Sequence, residues 1–113
     1  MPWERHDPKR GSQGFPVGVA SIGKSRQGIL FGVQSTRKWK LLDLKRCTVS
    51  RDMENRLVAF QFGSEGPYSV GRHQDSRMIL CADLIRSMGI KPGRYSAKLD
   101  REGFVIVDFK VKR

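Results

Sequence analysis

The chain is poor in several things, and each shortage narrows what it can be. It has two cysteines, Cys47 and Cys81, in 113 residues, too few for a disulfide framework. No apolar run approaches the roughly 20 residues that a transmembrane helix needs. The opening stretch MPWERHDPKRGSQG lacks the apolar core of a secretory signal, so a cytoplasmic protein with no membrane partner is expected. His6, Cys47, His73 and Cys81 show neither Cys-x-x-Cys nor His-x-x-x-His spacing, so no metal site and no other cofactor is expected. There is no P-loop and no dinucleotide fingerprint. Cys81 as a nucleophile would need a positioned base, which nothing beyond the sequence proximity of His73 supplies. The expectation is a protein that is not an enzyme.

Acidic residues are also scarce: 11 Asp+Glu against 22 Lys+Arg, a net charge of +11. Excess positive charge attracts polyanions, and binding to nucleic acid through it weakens steeply with salt as counterions are released. An acidic protein surface is the other partner such a charge suits. The charge is no disordered basic tail. Residues 1–20 carry net +1, whereas 21–66 and 67–113 carry +5 each.

That even split accompanies an internal repeat. Ser21-Ile22-Gly23-Lys24 aligns with Ser69-Val70-Gly71-Arg72 at an offset of 48 residues, and the ungapped register carries Leu30 onto Met78, Cys47 onto Tyr95 and Asp52 onto Asp100. One residue then drops out in a turn. The expected repeats are 21–62 and 69–110, joined by the turn-forming Gly63-Ser64-Glu65-Gly66-Pro67. The first 20 residues, with Pro2, Pro8, Pro16, Gly11 and Gly14, read as a flexible arm. Its Trp3 either anchors the arm or docks a protein partner.

In the second half, Leu80, Leu84, Ile85 and Met88 fall on one helical face, ended by Gly89 and Pro92. Tyr95, Ala97 and Leu99 alternate with polar residues as a half-buried strand. Asp100 to Gly103 is a hairpin turn, and a β-branched strand follows from Phe104. The first half repeats the plan with a poor helix: Thr36, Arg37 and Lys40 stand where Leu84, Ile85 and Met88 should be. Either the register shifts, or Val33, Trp39 and Leu41 do the packing. Each half is thus two strands, a short helix and a hairpin, a ββαββ unit in a mainly β protein. About 45 residues cannot bury a stable core alone, so two units have to interlock.

The segment Ser76-Arg77-Met78-Ile79-Leu80-Cys81 through Met88-Gly89-Ile90-Lys91-Pro92-Gly93 resembles the AbrB/MazE/SpoVT family. Arg77, the apolar triplet 78–80, Leu84, Arg86, Met88, Gly89, Ile90 and the Lys91-Pro92-Gly93 turn match its pattern. Ser76 departs from the family's Gly, and Cys81 from its usual Pro. In the first half Gly28 restores the Gly, but Ile29 replaces the Arg. The resemblance implies a swapped-hairpin β-barrel over residues 21–113. Two tandem repeats in one chain would make it a monomeric pseudo-dimer, with further self-association open. It also implies DNA binding, as a transcription regulator or antitoxin does, through Lys24 and Arg26 in the first half and Arg72, His73 and Arg77 in the second. Arg37, Lys38 and Lys40 form a second basic cluster around Trp39, whose indole is expected as a core anchor ahead of a base-stacking platform. The alternative is a protein-interaction or assembly module that keeps the barrel without DNA binding.

Overall fold

A computed structural model describes residues 16–41, 44–73 and 76–113 of the chain, so most of the expected arm, including Trp3, lies outside the described residues. Among the described residues, eight strands and two short helices run in the order β1 (Val19–Ile22), β2 (Gly28–Phe31), α1 (Val33–Lys38), β3 (Arg46–Asp52), β4 (Leu57–Gly63), β5 (Tyr68–His73), β6 (Ser76–Leu80), α2 (Ala82–Met88), β7 (Gly93–Leu99) and β8 (Val105–Lys112). Both halves therefore follow the ββαββ plan. The first begins earlier than the expected boundary after residue 20, because Val19 and Ala20 are buried strand residues paired with β7.

All pairings are antiparallel, and the strands close into one barrel in the order β1-β2-β6-β5-β3-β4-β8-β7. The order reads the same from either half. β1 is hydrogen-bonded to β7 of the other half, and β5 to β3, while β2 meets β6 and β4 meets β8. Each half's first hairpin thus completes the wall begun by the other half's second hairpin. Neither half can close a core without its sister, and closure leaves no sheet edge exposed for aggregation.

Alternation along the strands fills the barrel. Ile29, Phe31, Val58, Phe60, Ile79, Tyr95, Ala97, Val105 and Val107 point inward, and α2 adds Leu84, Ile85 and Met88. Phe31 is the aromatic hub, edge-on to Phe60 at 5.6 Å, Phe62 at 6.0 Å and Trp39 at 6.2 Å between ring centroids. The β2–β6 crossing is tight at Gly28. A Cβ there would sit 2.6 Å from the Ile79 carbonyl oxygen, closer than any side chain allows.

The two helices settle the register left open by the sequence. Leu41 N–H donates to the Thr36 carbonyl at 2.9 Å, as Ile90 N–H does to Ile85 at 3.1 Å. The equivalence is therefore 49 residues here, one more than the ungapped repeat. Thr36 takes the place of Ile85, Trp39 of Met88, Lys40 of Gly89 and Leu41 of Ile90. Thr36 is fully buried because its hydroxyl donates to the Gly32 carbonyl at 2.8 Å. Both alternatives hold together: the register slips, and Val33 and Leu41 are buried while Trp39 packs partly buried against the core. Among the described residues no helix is long and apolar enough to cross a membrane.

Candidate nucleic-acid interface

The β2–β6 ladder decides where the basic loops lie. It pairs Gly28 with Leu80 at one end and Phe31 with Arg77 at the other. The β1–β2 loop therefore sits at the Leu80 end, where Cys81 N–H donates to the Gln27 carbonyl at 3.0 Å and ties the loop to the start of α2. The paired His73 and Ser76 close the β5–β6 ladder at the opposite end, on the Phe31 side. The expected contact residues are split between the two ends of one ribbon.

At the first end Lys24 and Arg26 are exposed on a tight loop, with Arg26 N–H bonded to the Gly23 carbonyl at 3.0 Å and Arg26 at φ 52. β7 adds cations that the sequence did not connect to them. Its register with β1 pairs Gly93 with Ile22 and Arg94 with Ser21. The exposed Lys91 and Arg94 consequently stand beside the β1–β2 loop. The signal for this was weak, since the pairing joins strands from different repeats, some 70 residues apart.

At the second end Arg72 and His73 pair through their backbones with Arg77 and Ser76; their side chains lie outside what the structure describes. Helix α1 starts at this end and packs against β6. It carries Arg37 and Lys38 in its last turn and Lys40 just beyond, all exposed. Cations at a helix C-terminus also offset its partial negative charge, a structural role compatible with ligand contact.

Arg77 departs from its expected role. It is only 4% exposed, and its Nη1 donates to the Ser76 carbonyl at 2.7 Å. A guanidinium held this way braces the strand end and is not presented to a phosphate. Arg46 is also engaged in the scaffold: Nε donates to the Gly66 carbonyl and Nη1 to Ser69 Oγ, both at 2.8 Å.

The remaining polar candidates have local explanations. Asp52 accepts from Asn55 N–H at 3.1 Å and from the Asn55 side-chain amide at 2.8 Å, and these bonds hold its carboxyl below the ordinary Asp value. Asp100 accepts from the N–H groups of Glu102 and Phe104. Both carboxylates shape hairpin turns. Cys47 and Cys81 are buried free thiols. Loss of hydration pushes Cys47 up to about 11 despite the nearby Arg46. Burial, with Cys47 as a secondary influence, pushes Cys81 up to about 12. Thiols of this kind are poor nucleophiles and poor metal ligands at neutral pH.

Comparison with known proteins returned no matching family model, no similar curated protein and no similar solved structure.

Proposed function

We propose that the protein binds duplex DNA, as a regulator-like or antitoxin-like module on an AbrB-like swapped-hairpin barrel, and that it works in the cytoplasm. The observation that carries this reading is where the charge resides. Residues 16–113 hold 19 Lys+Arg against 9 Asp+Glu, and exposed cations occur on hairpin and helix ends that a closed barrel holds in place. Rigid placement of cations limits the ordering cost of contacting a phosphate backbone. The exchange of hairpins between halves also supports the family resemblance. The contacts assigned are Lys24 and Arg26 from the β1–β2 loop, Arg72 and His73 from the end of β5, and Arg37, Lys38 and Lys40 around α1. Arg77 serves as a brace for the β5–β6 hairpin. The two halves present different side chains, so the preferred site is not a palindrome.

Salt titration of binding to a random-sequence duplex tests the reading. Micromolar affinity at low salt with a steep log–log slope is the expected result. No detectable binding at 20–50 mM salt, roughly the low end of the informative range, refutes it.

The assembly-module alternative has its own support in Leu80, 62% exposed beside a surface groove lined by Gln27, Tyr68, Asp83 and Arg86. Concentration-dependent association in sedimentation, abolished by Leu80→Ser, together with no DNA binding, would favour it.

A further inference from the structure

The equal charges of the two halves conceal an unequal surface. β7 runs from the Lys24–Arg26 end of the barrel to the α1 end, and its outward positions are Arg94, Ser96 and Lys98. Arg94 lies beside Arg113, the residue just past β8, whose N–H donates to the Arg94 carbonyl at 2.9 Å. At the other end Lys98 lines a surface groove with Lys38, Trp39, Val17 and Leu99. The outer face of β7 therefore joins the two basic clusters that the sequence shows as separate. Lys98 is four strand steps from Arg94, about 13 Å, the axial rise of about four phosphates on one DNA strand. Asp108 is an acid on this face: it pairs with Ser96 between β7 and β8, lines a groove with Lys98 and Lys110, and accepts from Lys110 N–H at 2.9 Å, while Asp100, two residues beyond Lys98, is held in its own turn by Glu102 and Phe104 N–H.

The equivalent face of the other half is built differently. β3 carries Arg46, Thr48 and Ser50 where β7 has Arg94, Ser96 and Lys98, and α2 has Ser87 where α1 has Lys38. The two faces differ in charge at Ser50 against Lys98 and Ser87 against Lys38. Arg51 Nη1 donates to Ser87 Oγ at 2.6 Å, tying β3 to α2 across the groove. Leu99, 43% exposed, replaces Arg51 at the corresponding point of β7, so no such tie spans Lys38 and Lys98.

The geometry points to the outer face of β7, from Arg94 to Lys98 and on to Lys38, as a one-sided phosphate-binding stripe that seats a single DNA backbone. The inference rests on the DNA-binding reading above. It adds that the main contact lies along a strand of the second half, with no counterpart on β3. One backbone crosses the barrel from the β1–β2 loop to the end of α1, and Trp39 marks where it leaves.

Fluorescence anisotropy with a labelled random duplex, using the full chain, tests this. Lys38→Gln with Lys98→Gln is compared with Lys45→Gln plus Arg86→Gln, which removes the same charge from exposed positions elsewhere. Loss of two phosphate contacts lowers the salt slope by about 1.8 and the affinity at 0.1 M salt by about 60-fold, if the non-electrostatic part is unchanged. The control pair is expected to lose less than about fivefold, the effect of net charge alone. In a Trp3→Phe background, duplex addition should also change Trp39 emission, a readout that a purely structural role for the lysines would not move. Equal losses from the two pairs, or an unmoved Trp39 signal at saturation, overturn the stripe while leaving DNA binding intact. A parent protein that does not bind at low salt overturns both.

Discussion

Lys40 and Gly89 occupy equivalent positions at the ends of α1 and α2, and both are left-handed, at φ 58 and φ 63. The following N–H groups close the same bond back into each helix. The geometry suits glycine and strains lysine, since a Cβ in this region costs roughly 1–2 kcal/mol. Glycine gives back part of that gain, because it frees the unfolded chain by about 0.4–1 kcal/mol. Lys40→Gly should therefore stabilise the protein by about 0.5–1 kcal/mol. Gly89→Ala should destabilise it by a similar amount, about 0.5–1 kcal/mol, and that cost is purely backbone because nothing lies within 4 Å of a Cβ built at Gly89. Lys40→Ala controls for loss of the charge: it keeps a Cβ and should not stabilise. Thermal unfolding followed by circular dichroism reads the changes as shifts of roughly 3–6 °C in opposite directions, and urea midpoints at constant m-value give the free energies. If Lys40→Gly and Lys40→Ala behave alike, the left-handed strain at Lys40 is not what limits this helix end, and the proposed equivalence of the two ends fails.

Three further outcomes follow from the packing. Phe31→Ala empties the centre of an aromatic cluster at a fully buried site, and should cost about 3–5 kcal/mol in urea denaturation; a cost under about 1 kcal/mol would mean the cluster is not the core's hub. Arg77→Ala removes a buried donor and its packing, and should destabilise by about 1–3 kcal/mol. Its salt slope for DNA should stay unchanged under conditions where it remains folded, and a fall by one unit would return Arg77 to the contact surface. Cys47 and Cys81 ionise above their ordinary value of 9.0 when folded, near 11 and 12. The folded state therefore holds those protons longer, and the stability they contribute is lost as pH rises from about 9 through the folded values. Native protein should resist thiol-specific reagents at pH 8 and react fully in denaturant; rapid native labelling of either thiol refutes the burial argument.

What could be read in advance divides along physical lines. In the second half pattern and chemistry agree. Leu84, Ile85 and Met88 mark the buried face of α2, Gly89 ends it in the left-handed region, and Tyr95 and Ala97 alternate inward. The first helix was obscured because its central buried residue is Thr36. A threonine counts as polar in any hydrophobic pattern, yet its hydroxyl is satisfied by a carbonyl of its own preceding turn and can be buried without loss. Arg77 misled in the converse way, since a lone arginine in a strand reads as surface until its backbone acceptor is known. The cations of β7 were visible singly and uninformative, because their neighbours come from ladders that cross between repeats.

Two identical copies pairing through exchanged hairpins would have to place every charge twice. Within one chain the constraint lifts, and the halves here have diverged wherever it does. Gly28 stands against Ser76, Thr36 against Ile85, Lys40 against Gly89, and Ser50 against Lys98. The first three differences lie in the scaffold: Gly28 serves the β2–β6 crossing, while Thr36 and Lys40 weaken the first half's own helix and leave it more dependent on the barrel that both halves close. The last changes only the outer surface. Ser50 and Lys98 occupy equivalent outward positions on β3 and β7, so neither choice is forced by packing. A one-sided arrangement of charge is available to a tandem repeat and denied to a symmetric pair. Binding that requires the β7 face and ignores β3 would therefore explain what the fusion of two repeats permits beyond keeping the partners together.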